Sequence, residues 1–213
     1  MISALGNFFS VQKFGLTVFE NEGSEISIDW GLDDLVLARV HAVTGADPTV
    51  RRIAYPKGAF EPFYNPKPRL IPDPSEGLPA IVQSITPNAG CQRYLVVTKS
   101  GREVPGTNLV VSGIGAYSRG LGSVLRHSHL FANISLSLID GTTYKQTNRP
   151  LADIGANLSE DIRLIEDPLT QLDNSLFPDP PVSVSNNAIL RERTRALLAA
   201  KLDRLLPDYL KEE

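Results

Sequence analysis

From Leu130 to Leu138 the chain alternates strictly, with Leu130, Ala132, Ile134, Leu136 and Leu138 on one side and Phe131, Asn133, Ser135 and Ser137 on the other. A period of two sends the first set to one face of a strand. Such a strand is stable only if another layer covers its apolar face, which demands a layered domain built on a sheet. Asp140-Gly141 follows as a type I′ hairpin signal and returns the chain through Thr142 to Lys145. This part of the sheet is therefore expected to be antiparallel.

Earlier in the chain the pattern is different. Phe14, Leu16 and Val18 alternate within Val11 to Phe19, a strand, and the acidic run Glu20 to Glu25 reads as the loop after it. Leu32, Leu35, Val36, Val40 and Val43 recur at helical spacing behind Asp29, and Gly45 with Pro48 ends that helix. Thr49 to Ala54 is short and β-prone. Leu78 to Ile85 reads as a helix with Pro79 in its first turn. Tyr94 to Val97 is a compact apolar run, as in a strand buried on both faces. Asn108 to Ser112 is a further strand, Gly113 to Gly122 a glycine-rich connection, Ser159 to Ile165 a short helix, and Leu176 to Val184 a proline-bearing connector. A long helix from Asn186 to Leu206, capped by Asn186 or Asn187, closes the chain.

Strand and helix alternate first, then strands follow one another. That order predicts an α/β (α+β) fold with a mixed sheet of about five or six strands. Its first half is parallel and its second half an antiparallel hairpin, with helices packed on it and a C-terminal helix added. Residues 1–150 are read as the sheet domain and 151–213 as a helical extension packed on the same domain.

Composition removes several function classes. Of 213 residues, 21 are Lys or Arg and 24 Asp or Glu, a formal charge of -3, so nothing global favours nucleic acid. The single cysteine, Cys91, cannot form an internal disulfide and reads as a buried residue beside the central strand. No apolar run approaches the roughly 20 residues that span a bilayer. Residues 1–10 lack the basic and apolar regions of a leader, so the expectation is a cytoplasmic protein or an envelope protein whose leader has been removed. The 16 prolines are clustered: Pro56, Pro62, Pro66, Pro68, Pro72 and Pro74 share one loop. Its aromatics, Tyr55, Phe60, Phe63 and Tyr64, imply that it packs on something.

No catalytic pattern emerges. Gly113 to Gly122 has neither dinucleotide nor phosphate-loop spacing and is followed by a strand, so it is read as a turn with a possible partner surface at Tyr117 and Arg119. His127 and His129 share one strand face, but a metal needs three or four ligands and His41 is the only other histidine. Neither a metal site nor a cofactor is expected. Glu20, Glu22, Glu25, Asp29, Asp33 and Asp34 gather after the first strand, where α/β folds bind ligands, although Asp33 and Asp34 also suit a helix N-terminus.

Tyr94 to Thr98, followed by Ile134 to Thr142 with its Asp140-Gly141-Thr142 ending, resembles the N-terminal domain of TolB and the curli-secretion and penicillin-binding-protein-activator lipoproteins. The opening strand Gly15 to Phe19 and the helix from Trp30 fall where that family has its own, so the likeness runs from Val11 to Lys145. The chain departs from it at Thr143, in the proline loop, and in lacking a lipobox cysteine. Gly106-Thr107-Asn108 before Gly113 to Tyr117 is also similar to a pattern in exported bacterial proteins. The resemblance implies a non-enzymatic, periplasmic or envelope-associated domain that acts through a protein partner. The contact residues expected from the loops are Tyr117, Arg119, Phe60, Phe63 and Tyr64. Two alternatives stand beside it: a small hydrolase or ligand-binding enzyme with an acidic site at the end of the first strand, and a structural subunit that assembles through the C-terminal helix.

Overall fold

Three long ribbons of chain, each bent at the same level, make the framework of this computed structural model, which describes residues 1–15, 20–68, 73–104, 107–120, 126–147 and 170–210. The first ribbon is β1 (Ile2–Ala4) continuing into β2 (Phe8–Phe14); the third is β8 (His127–Ala132) continuing into β9 (Ile134–Asp140). Between them lies the second, β4 (Arg93–Lys99) and β7 (Ile114–Arg119), interrupted by the hairpin β5 (Gly101–Glu103) and β6 (Val110–Ser112). Below the bend β1 pairs parallel with β4, and β4 antiparallel with β9. Above it β2 pairs parallel with β7, and β7 antiparallel with β8. The edges are completed by β3 (Glu22–Ser27) on β2, β10 (Gln146–Thr147) on β9 and β11 (Gln171–Leu172) on β8. The mixed α+β class is the one expected; the strands are more numerous because each ribbon counts as two across its bend and because the edge strands β3, β10 and β11 and the β5–β6 hairpin are added.

A ring of backbone hydrogen bonds holds the bend. Ser100 N–H donates to the Asn133 carbonyl (3.0 Å), Asn133 N–H to the Gly113 carbonyl (2.7 Å), and Gly113 N–H to the Ser100 carbonyl (3.0 Å). Asn133 is 5% exposed, and its Nδ2 also donates to the Val111 carbonyl at 2.9 Å. The bend thus splits what the alternation presented as one strand, and the polar residue in that alternation is the joint.

Both half-sheets turn one face to the helices α1 (Leu32–Val43) and α4 (Ala188–Leu210), in a core that includes Phe9, Val11, Leu95, Val97, Leu130, Leu136, Leu198 and Leu202. The other face of the first half is covered by α2 (Glu61–Tyr64), α3 (Leu78–Ile85) and the proline loop, with Phe60, Ile81 and Val82 against Ile2, Tyr94 and Val96. On the second half, the outer face carries a smaller cluster of Phe14 and Phe131 under Val104 and Val111 of the β5–β6 hairpin.

Several local expectations are met and others corrected. α3 and β4 fall where expected; α4 begins one residue after its cap, Asn187, whose Oδ1 accepts from Leu190 N–H (2.9 Å), and runs past Pro207. The cap of α1 is Gly31, left-handed at φ 59°, not Asp29. The first long strand begins earlier and ends at Phe14; residues 16–19 lie outside the described residues. Glu22 to Ser27 is a strand, not a loop: paired on one side only, an edge strand tolerates acidic residues on both faces. Thr49 to Ala54 forms no strand. Ile114 to Arg119, read as a turn, is β7. There Gly115 lies so close to β2 that a Cβ would overlap the Ser10 carbonyl, so glycine serves strand contact and not turning. The return after Asp140 is a longer loop and not a two-residue turn, with Tyr144, not Gly141, at positive φ (53°) and the Asp140 carboxylate accepting from Thr142 and Thr143 N–H. The helix expected at Ser159 to Ile165 lies outside the described residues.

Candidate functional site

The outer face of the second half-sheet brings Tyr117 and Arg119 beside two histidines. Alternation along β7 puts Tyr117 and Arg119 on the face away from the helices, and antiparallel register sets Tyr117 against His129 and Arg119 against His127. The Tyr117 and His129 rings stack at 5.1 Å with 23° between planes, and Tyr117 tilts against Phe14 (6.0 Å) and Phe131 (6.3 Å). Its body is half-buried and anchored; Arg119 and His127 beyond it are exposed. Burial raises the Tyr117 pKa, with Arg119 opposing, so the phenol stays neutral and available as a hydrogen-bond donor. Burial lowers that of His129, and the neighbouring His127 lowers it further.

Phe60, Phe63 and Tyr64 are not part of this surface. They pack on the outer face of the first half-sheet, where Phe60 is 4% exposed and meets Tyr55 edge-on at 4.9 Å, and Phe63 meets Tyr64 at 5.4 Å. The loop packs as its aromatics implied, and it also finishes a sheet edge. β1 has a strand partner on one side only; on the other, Ile53 N–H donates to the Met1 carbonyl (2.8 Å) and Tyr55 OH to the Ser3 carbonyl (2.7 Å), while on the β4 side Tyr64 OH donates to the Ala4 carbonyl (2.6 Å). Tyr64 OH also accepts from Lys99 N–H (3.1 Å), which ties β1 to β4 at the bend. Both phenol pKa values are pushed up to about 12, chiefly by burial, so these donors persist at any physiological pH.

The acidic residues after the first strand divide among separate tasks. Asp33, in the first turn of α1, accepts from Ser3 Oγ at 2.5 Å and lies 3.8 Å from Arg52, pinning the helix to β1. Burial raises its pKa against the lowering effects of Ser3 and Arg52. Asp34 takes Arg52 at 2.6 Å. Glu20 and Glu22 line a cavity of about 480 Å³ at the carboxyl ends of the parallel pair β2 and β7, together with Lys13, Ser118 and Arg126. Lys13 bonds Asp179 (3.0 Å) and approaches Glu22 (3.7 Å), while Arg126 Nε donates to Ser118 Oγ (2.7 Å) and its guanidinium lies over Phe177.

Cys91 is half-exposed instead of buried, its Sγ 3.6 Å from the Arg51 guanidinium. Among the described residues no group of three metal-ligating side chains gathers, and no helix is long and apolar enough to cross a membrane. The Tyr117–His129 ladder escapes sequence reasoning because the pairing exists only once β7 is recognised as a strand; the same-face spacing of His127 and His129 was its one visible sign. Comparison with protein-family models, curated proteins and solved structures returns no match.

Proposed function

We propose that this chain is a non-enzymatic binding module that takes a protein partner on the outer face of its second half-sheet, at the bacterial cell envelope. One observation carries the reading: an anchored tyrosine with an exposed arginine and histidine beyond it, on a sheet face that no described helix covers. Tyrosine and arginine around a packed centre are the side chains that dominate protein interfaces. Arg119 and His127 call for a partner segment with acidic groups. Support for the envelope setting comes from the resemblance of Val11 to Lys145 to envelope domains.

Photo-crosslinking from position 119 in a fractionated envelope, followed by affinity measurement on the partner captured, tests this. Arg119→Ala and Tyr117→Ala should each weaken that complex by about 2 kcal/mol, roughly thirty-fold. A complex indifferent to both overturns the reading.

The cavity at the ends of β2 and β7 favours a second reading, an acidic ligand-binding or hydrolytic site with Glu20 and Glu22 in its wall. Glu20→Gln and Glu22→Gln would then abolish ligand uptake or turnover. The leucines of α4 that would serve assembly, including Leu190, Leu197, Leu198, Leu202 and Leu206, are buried in the main core, which leaves that third reading without its handle.

A further inference from the structure

We propose that the chain binds an acyl chain with an anionic head in a cavity at the end of the main core, far from the surface assigned above and independent of it. The cavity has a volume of about 760 Å³ and opens where the ends of α1 and α4 meet the start of β4 and the end of β9. That size lies within the range of small-molecule sites, about 300–1,000 Å³. Its floor is apolar: Val40, Leu95 and Leu138 belong to the main core and line it from below. Val50 and Tyr209 form part of its wall.

The mouth has the opposite character. Arg51 and Arg93 line it, and among the described residues neither has a carboxylate within ion-pair distance. Arg51 donates to the Ala89 carbonyl, which fixes its guanidinium at the rim. The lining holds one carboxylate, Asp47, whose Oδ1 accepts from both Thr49 N–H and Thr49 Oγ at 2.8 Å and which keeps its charge, so the two arginines outnumber it. Arg51 and Arg93 form no close ion pair, although Arg93 lies across the strand pair from the Asp140 carboxylate, and two guanidiniums to one lining carboxylate above an apolar floor match a molecule with an apolar tail and a carboxylate or phosphate head. The floor accepts the chain, and the planar donors of arginine suit either oxyanion.

Titration calorimetry of the full chain tests this with octanoate, decanoate and dodecanoate below their micelle thresholds, with dodecyl phosphate, and with dodecyltrimethylammonium as the cationic control. The anions should bind, with affinity rising up to about fourfold per added methylene until the floor is filled. The cation should bind at least tenfold more weakly. Arg51→Gln with Arg93→Gln should remove that preference while the dependence on chain length remains, and Val50→Trp should block every ligand. Absent binding, equal binding of anion and cation, or binding that survives Val50→Trp overturns the proposal. If Val50→Trp lowers the melting temperature, amide shifts in the wild-type chain decide instead: dodecanoate must move Val40, Leu95 and Leu138, and shifts confined to other regions refute it. Sedimentation with anionic-lipid vesicles separates the sources. Vesicle binding blocked by dodecanoate supports the site with a lipid as its ligand, whereas dodecanoate binding without vesicle binding supports it with a free amphiphile.

Discussion

Replacing Asn133 probes the joint on which the whole sheet depends. Its Nδ2 donates to the Val111 carbonyl at 2.9 Å in a site 5% exposed, while its backbone closes the ring with Ser100 and Gly113. Asn133→Leu keeps the branched skeleton and the backbone ring, adds the bulk of two methyl groups, and deletes one buried hydrogen bond, worth about 1 kcal/mol net. Asn133→Ala deletes the same bond and leaves space, for about 2 kcal/mol in total. Asn133→Asp sets a carboxylate against a carbonyl. Burial raises the pKa of that group above its unfolded value, so the folded state holds its proton more tightly and stability falls as pH rises through the folded pKa. The penalty should therefore be greater at neutral pH than in mild acid. Urea unfolding at equilibrium reads all three, and each kcal/mol corresponds to roughly 2–4 °C in melting temperature for a chain of this length. Faster amide exchange at Ser100 and Gly113 should accompany the loss. If Asn133→Leu unfolds within about 0.3 kcal/mol of wild type, or if Asn133→Asp shows no dependence on pH, the side chain does not brace the bend.

Two further outcomes follow from buried polar groups. Thr194 is fully buried on α4 and its hydroxyl has no hydrogen-bond partner among the described residues, so Thr194→Val should raise stability by about 1 kcal/mol in the same urea assay; a loss would show that the hydroxyl is bonded. His129, whose pKa burial depresses, binds its proton less readily folded than unfolded, so its contribution is present above the unfolded value of about 6.5 and lost as pH falls through the folded pKa. Urea midpoints measured between about pH 7.5 and 5.5 should fall, and His129→Gln should flatten that fall; equal slopes would refute it.

How much of this could be read in advance depended on where each element's partners lie. α3, α4 and β4 were legible because their periodicity or continuous apolarity reflects burial that is local to the element. β3 and β7 were not. Glu22 and Glu25 suit an edge strand, and Gly115 looks like a turn residue until Ser10, distant in sequence, is brought beside it. The alternation through Asn133 correctly announced a strand and its buried face, but the break at that residue depends on Ser100 and Gly113, which no local pattern reveals. The candidate surface shared this limit: Tyr117 and Arg119 were recognisable as residues, while His129 and His127 became their neighbours only through register. Tyr64, expected at a partner contact, also satisfies the Ala4 carbonyl of β1, a short strand without a sequence signature of its own, so its packing role could not be read in advance.

The hairpin β5–β6 leaves and rejoins the second ribbon at two residues already hydrogen-bonded to each other, Ser100 and Gly113. The segment between them could change in length without altering which strand lies beside which, provided that the Val111 carbonyl stays within reach of Asn133. What such a change would alter is the cover over Phe14 and Phe131, the apolar patch that Val104 and Val111 now shield next to Tyr117. The hairpin thus links two ends of the molecule's design: through Val111 it reaches the joint of the sheet, and through Val104 it borders the face assigned to a partner.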